Sequence, residues 1–392
     1  MNRLKIVYIL PYDWGAMPQY TAEIANAVAE NADVTVVGSK GIPVNYFSGE
    51  IKIVKLFDSL NFSMNHLEKA FSFKTFSAFL SYSKIKAIEE MNPDIIHITT
   101  PLMPPLAFFL LISRLDRKYP MIYTKHGLHS NSGFIKKLFE EYVLNLFERF
   151  VSFKKIIVHT KNDREELLTA RNLSERDIIV VPHGTYSFFK QYETELPMEQ
   201  NAILFFGNIR EYKGLDVLLR AVPKISKRIP ELKVIIAGEG DLSPYQSQME
   251  ACNGSVFEIH NEFVPDDLVA ALFQRSTLVV LPYTEMSGMS GVLNVAYAFG
   301  KPVVVSDVGG LDEAVEHGKT GLLVPPRDPR ALADAIIQLL VDSDLRATME
   351  EYVKARAEEL SWDSIAKKTM KVYREASLKG TVHPTSGNSD DI

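Results

Sequence analysis

Apolar residues in this chain fall into short unbroken runs, separated by longer stretches where they recur every three or four positions. The unbroken runs predict strands buried on both faces. They are Leu4–Leu10, Val34–Val37, Ile95–Ile98, Met121–Tyr123 and Ile156–Val158, then Ala202–Phe206, Leu232–Ala237, Leu278–Leu281 and Pro302–Val305. Helical spacing lies between them, around Gln19–Glu30, Gly214–Ile225, Pro265–Arg275 and Val292–Phe299. This alternation predicts an α/β fold of two doubly wound domains, each a mostly parallel sheet with helices on both faces. The first domain is placed at 1–185 and the second at 201–360. Two prolines and few apolar clusters between Pro182 and Gln200 mark a linker, placed at 186–200. A last helix is placed at 361–379. The tail 380–392 has the composition of a disordered segment.

Composition narrows the picture. At 392 residues the chain is long enough for two or three domains. Its 43 basic against 49 acidic residues argue against a nucleic-acid partner, which calls for a strongly basic face. The one cysteine, Cys252, excludes a disulfide framework and any Cys-based zinc site, and fits a reducing compartment. Met1–Leu10 does not read as a signal peptide, because Pro11 ends its short apolar run without a cleavage site. The apolar stretch Leu102–Ser113 falls short of the roughly 18–20 residues that span a bilayer. A cytoplasmic chain is therefore expected. Charge is uneven: residues 1–185 hold 22 Lys+Arg against 19 Asp+Glu, the remainder 21 against 30. In the basic half, Phe134–Phe153 repeats apolar residues every four positions beside Lys136, Lys137, Arg149, Lys154 and Lys155. Phe71–Lys86 is also rich in Phe and Lys. Such segments either cover the first sheet or rest on an anionic membrane surface from the inner face.

Two segments carry the chemistry. Phe205–Leu219 reads FFGNIREYKGLDVLL: a strand, Gly207, a turn with Arg210 and Lys213, then Gly214 opening a helix. Two cations beside the free amides of a helix start suit a diphosphate. Leu281–Gly310 places the small-residue loop Ser287, Gly288, Met289, Ser290, Gly291 before a helix at Val292. There a ligand can approach the backbone and reach more free amides.

With these two segments in order, the chain resembles family four of the retaining glycosyltransferases, of the GT-B fold. The resemblance rests on Gly207…Lys213-Gly214, on Gly300-Lys301-Pro302-Val303-Val304 and Gly309-Gly310…Glu313, and on His126-Gly127, Gly15, Val181-Pro182-His183-Gly184, Gly318–Pro325 and Ser361-Trp362. It implies two Rossmann-like domains across a cleft, with the last helix returning to the first domain. It further implies transfer of a hexose-type sugar from a UDP- or GDP-sugar to a glycan or lipid-linked acceptor, with no cofactor and no metal. His126, Arg210 and Lys213 then take the catalytic roles. The donor lies against Gly15, Gly207, Gly238, Val264 and the loop from Ser287 to Val292.

Two departures stand out. Asn208 occupies the position where the family carries an arginine, and Ser287 and Val295 occupy its two glutamate positions. The ribose contact of the second glutamate has no counterpart in valine, which leaves nucleotide and sugar open. Glu285 could substitute for the first or be a surface charge. His97 reads as a structural strand-end residue, and His159 and His183 as residues flanking the cleft without metal spacing. Asp342-Ser343-Asp344 reads as a helix cap. The alternatives are a nucleotide-sugar epimerase, for which no carboxylate pair is evident, and a non-catalytic nucleotide-sugar or glycan-binding protein.

Overall fold

The computed structural model describes residues 3–59, 73–127, 148–171, 174–252, 254–286 and 288–378. The region 134–147, Phe71, the tail 380–392 and Ser287 lie outside the described residues. The first sheet has seven parallel strands in the order β3-β2-β1-β4-β5-β6-β7. These are β1 Leu4–Leu10, β2 Ala32–Ser39, β3 Lys52–Phe57, β4 Ile95–Ile98, β5 Met121–Thr124, β6 Lys155–Val158 and β7 Ile178–Val180. The second sheet has six parallel strands in the order β10-β9-β8-β11-β12-β13. These are β8 Ala202–Phe206, β9 Lys233–Ala237, β10 Phe257–His260, β11 Leu278–Leu281, β12 Val303–Ser306 and β13 Gly321–Val324. The order in which successive strands are added to the sheet reverses between β1 and β4, and again between β8 and β11. A crevice opens beyond the carboxyl ends at each reversal.

Four helices position the site: α1 Ala16–Ala29, α2 Leu215–Arg228, α3 Gly291–Ala298 and α4 Trp362–Ser377. Leu215, Leu218, Leu219, Val222 and Ile225 make the buried stripe of α2. Pro223 sits inside α2 and cannot donate to the Leu219 carbonyl one turn earlier. The Cys252 thiol donates to that carbonyl instead, at 3.7 Å. Helix α4 is capped by Ser361, whose side chain accepts from Ser364 N. It packs on the first domain: Tyr373 Oη lies 2.8 Å from Tyr8 Oη and 2.6 Å from His97 Nδ1. His97 Nε2 meets Thr124 Oγ1 at 2.8 Å. Burial lowers the His97 pKa to about 3, so the ring is a neutral link in the core. Asp342 caps the helix Ser343–Glu359 by accepting from Leu345 N, which accounts for the acidic pair there.

Candidate active site

The first wall of the site follows β8. Gly207 has φ +101, and Gly238, with φ +140, packs so closely behind it that a Cβ would lie 2.3 Å from the Gly207 carbonyl oxygen. The small size of Gly238 therefore supports the loop from behind. A short 3-10 turn, Glu211–Lys213, leads to Gly214 at φ +70, where a Cβ would meet the Pro282 carbonyl oxygen at 1.9 Å. Only glycine lets this loop reach the end of β11.

Lys213 is turned inward and is only 8% exposed. Its ammonium abuts Gly207, where an added Cβ would come within 2.6 Å of Nζ. It lies 5.3 Å from the Tyr283 ring centroid. Among the described residues it has neither an ion-pair nor a hydrogen-bond partner. Arg210 behaves differently. It is the extended residue before the turn and is exposed.

The second wall follows β11. Ser290 caps α3, its hydroxyl accepting from Leu293 N and lying 3.3 Å from Tyr283 Oη. A Cβ on Gly207 would be 3.5 Å from Val292 in the first turn of α3. Gly207, Lys213, Tyr283, Ser290 and Val292 thus converge at one helix start, with Gly291 against the Tyr186 ring. Gly288 has φ +74, and a Cβ there would lie 2.1 Å from the His126 carbonyl oxygen, across the cleft. Gly310 backs onto both Gly288 and Thr160. Nearby, Glu313 accepts from Lys161 N at 2.8 Å and Asn162 N at 2.6 Å, so the second domain caps a helix of the first. Val264 is buried in the core, Gly15 stands at the start of α1, and Met289 is half-buried. Glu285 is exposed.

The opposing surface, from the first domain, is a cluster of rings. His126, His159 and His183 follow β5, β6 and β7, and Tyr20 of α1 packs on all three at 4.5, 5.7 and 4.9 Å between centroids. Trp362 of α4 closes the cluster at 5.3 Å from Tyr20. Burial lowers the pKa of His126 to about 4 and of His183 to about 3, and holds His159 well below the usual range.

This geometry agrees with what related sequences show. Residues 17–185 match the profile of Glycosyltransferase Family 4, and residues 200–342 that of Glycosyl transferases group 1. The chain belongs to glycosyltransferase family 4. An uncharacterized glycosyltransferase of Methanocaldococcus jannaschii is 31% identical over 57% of this chain and 60% of its own. A D-inositol 3-phosphate glycosyltransferase of Corynebacterium jeikeium is 32% identical over 56% of this chain and 57% of its own. The alignments thus span less than two thirds of these relatives. The crystal structure of Anabaena HepE in complex with UDP superposes with a TM-score of 0.70 at 17% identity, covering 95% of this chain and 100% of that one. The fold is GT-B.

Within the family-4 chain, Val295 is buried in the core, so its position offers a ligand no polar group. Sequence reasoning passed over Tyr283, Tyr20 and Tyr186, and gave Trp362 a place in the motif but none in the site. Tyr283 had a usable signal, since it follows directly on the Pro282 that ends β11. The other three come from distant segments and meet only through the fold.

Proposed function

We propose that this protein is a retaining glycosyltransferase that moves a hexose-type sugar from a UDP- or GDP-sugar to a glycan or lipid-linked acceptor. The observation that carries the reading is Lys213, whose side chain is largely covered and whose ammonium has no counter-ion among the described residues, beside the free amides of α3. A fixed cation with no counter-ion beside a helix start is a ready site for an anion. A donor diphosphate supplies that anion, and its charge grows as the glycosidic bond breaks. Fixed donors aimed at developing charge give the largest catalytic term in many enzymes.

His126 borders the sugar from the first domain, and Arg210 reaches the diphosphate from the rim once a nucleotide is present. UDP in the HepE complex, and the D-inositol 3-phosphate named for the Corynebacterium relative, support a nucleotide donor and a hydroxyl acceptor in this family. With Lys213 and the α3 amides neutralising the leaving group, no metal is needed. No helix among the described residues is long and apolar enough to cross a membrane, and docking on an anionic surface through the basic first domain completes the reading.

The test is thermal melting and turnover with UDP, GDP, ADP and their sugars. One nucleotide class should raise the melting temperature, because it binds only the native state. Its sugar should be transferred with retained anomeric configuration at a rate that chelator leaves unchanged. No stabilisation by any nucleotide, or strict dependence on Mg²⁺ or Mn²⁺, would refute the reading.

A further inference from the structure

His126 and His159 form a chain of hydrogen-bonding atoms with a carbonyl at each end. His126 Nε2 lies 2.7 Å from the Thr99 oxygen, and His159 Nδ1 lies 2.9 Å from the Val181 oxygen. Between the rings, His159 Nε2 faces His126 Nδ1 at 3.1 Å. A carbonyl oxygen only accepts, so each outer nitrogen must carry a hydrogen. Two neutral imidazoles hold one N–H each, and both are used at the ends. The central contact is then two lone pairs face to face. Satisfying all three contacts takes one more proton, shared as a single positive charge on the pair.

The surroundings explain why an anion must come with that proton. The rings packed on the pair are Tyr20 from α1 and His183 after β7; Tyr186 and Trp362 pack in turn on His183, and His97 of β4 lies near enough to His126 to oppose its charging. None of these is an anion near neutral pH. Lys125, next to His126, is a cation already paired with Glu148 at 2.8 Å. Asp163 sits in the first turn of helix Lys161–Arg171 and makes no ion pair with either ring. Glu313 is engaged by the amides of Lys161 and Asn162. Without a ligand, burial keeps the extra proton off.

We infer that His159 is a positioning residue for His126, and that binding of a nucleotide diphosphate loads one proton onto the His126–His159 pair. The inference rests on the donor reading above. The diphosphate enters where Gly288 of the donor loop touches His126, and its charge stabilises the imidazolium. The proton comes from solvent and completes the hydrogen bond from His159 Nε2–H to His126 Nδ1. The His126 ring is thereby fixed in orientation, with the positive charge held on His159 directly behind it.

The experiment is calorimetry with UDP-glucose or GDP-mannose, whose doubly esterified diphosphates do not titrate near neutral pH, in buffers of different ionisation enthalpy. At pH 7 the wild-type protein should take up close to one proton per nucleotide-sugar. As pH rises, its Kd should weaken by up to about tenfold per pH unit over the range where the free pair is unprotonated and the bound pair protonated. H159Q offers His126 an uncharged N–H, so it should still bind while proton uptake and pH dependence disappear. Binding by the wild type without proton uptake overturns the inference and leaves the donor reading intact. Uptake by H159Q equal to that of the wild type places the proton elsewhere and also overturns it. Failure of both sugars to bind counts against the donor reading and the inference together.

Discussion

Lys213→Ala should lower turnover by about 10²–10³-fold, the loss seen when one preorganised donor to a developing anion is removed. Its stability should be little changed. The ammonium makes no ion pair or hydrogen bond among the described residues and only rests near the Tyr283 ring, so little stabilising contact is lost with it. This pairing of effects separates a catalytic role from a structural one. A lysine that merely holds the loop after β8 would lower the melting temperature along with the rate. Steady-state kinetics and a thermal melt on the same preparation decide between the two. Near-normal turnover in Lys213→Ala would remove the site proposed here.

Gly288→Ala should be nearly as damaging, by a different route. The residue has φ +74, which costs an L-amino acid roughly 1–2 kcal/mol. Its new methyl would lie 2.1 Å from the His126 carbonyl oxygen and 3.0 Å from Gly127 Cα, both on the opposing domain. That clash can be relieved by moving the domains apart, with each core left intact. A displacement of about 1 Å at reacting groups costs up to about 100-fold in rate. Turnover should therefore fall by one to two orders of magnitude while each domain keeps its packing. Gly49→Ala is the control, because nothing lies within 4 Å of its would-be Cβ and its φ is not in the left-handed region. If Gly288→Ala matches Gly49→Ala in rate, the two domains do not need this close approach.

Much of the fold could be read from the pattern of apolar runs, and the part that could not has one cause. β1, β4, β8 and β11 were bounded residue for residue, because central strands are buried on both faces and read as unbroken apolar runs. The four strands that escaped notice are β3, β7, β10 and β13, the four sheet edges. β3, for example, reads KIVKLF with an exposed lysine inside it, and β10 reads FEIH. One open side tolerates polar residues, and the signal fades. The site divides along similar lines. Gly207, Lys213, Gly214 and Ser290 could be found because one loop's chemistry is contiguous in sequence. Of the ring cluster, His126, His159 and His183 could be read as residues of the cleft but Tyr20 could not, and their packing together with Trp362 shows only once the fold brings five segments together. Arg210 shows the limit of spacing arguments. Three positions from Lys213, it lies on the extended side of the turn and faces outward while Lys213 folds in.

The central claim is that Lys213 and the start of α3 hold a nucleoside diphosphate. A crystal structure of the wild-type protein soaked with UDP or GDP measures this directly. Diphosphate oxygens should lie about 3 Å from Lys213 Nζ and from the amides of Gly291 and Val292. A nucleotide bound elsewhere, with the Lys213 ammonium still facing only Tyr283, would contradict the account.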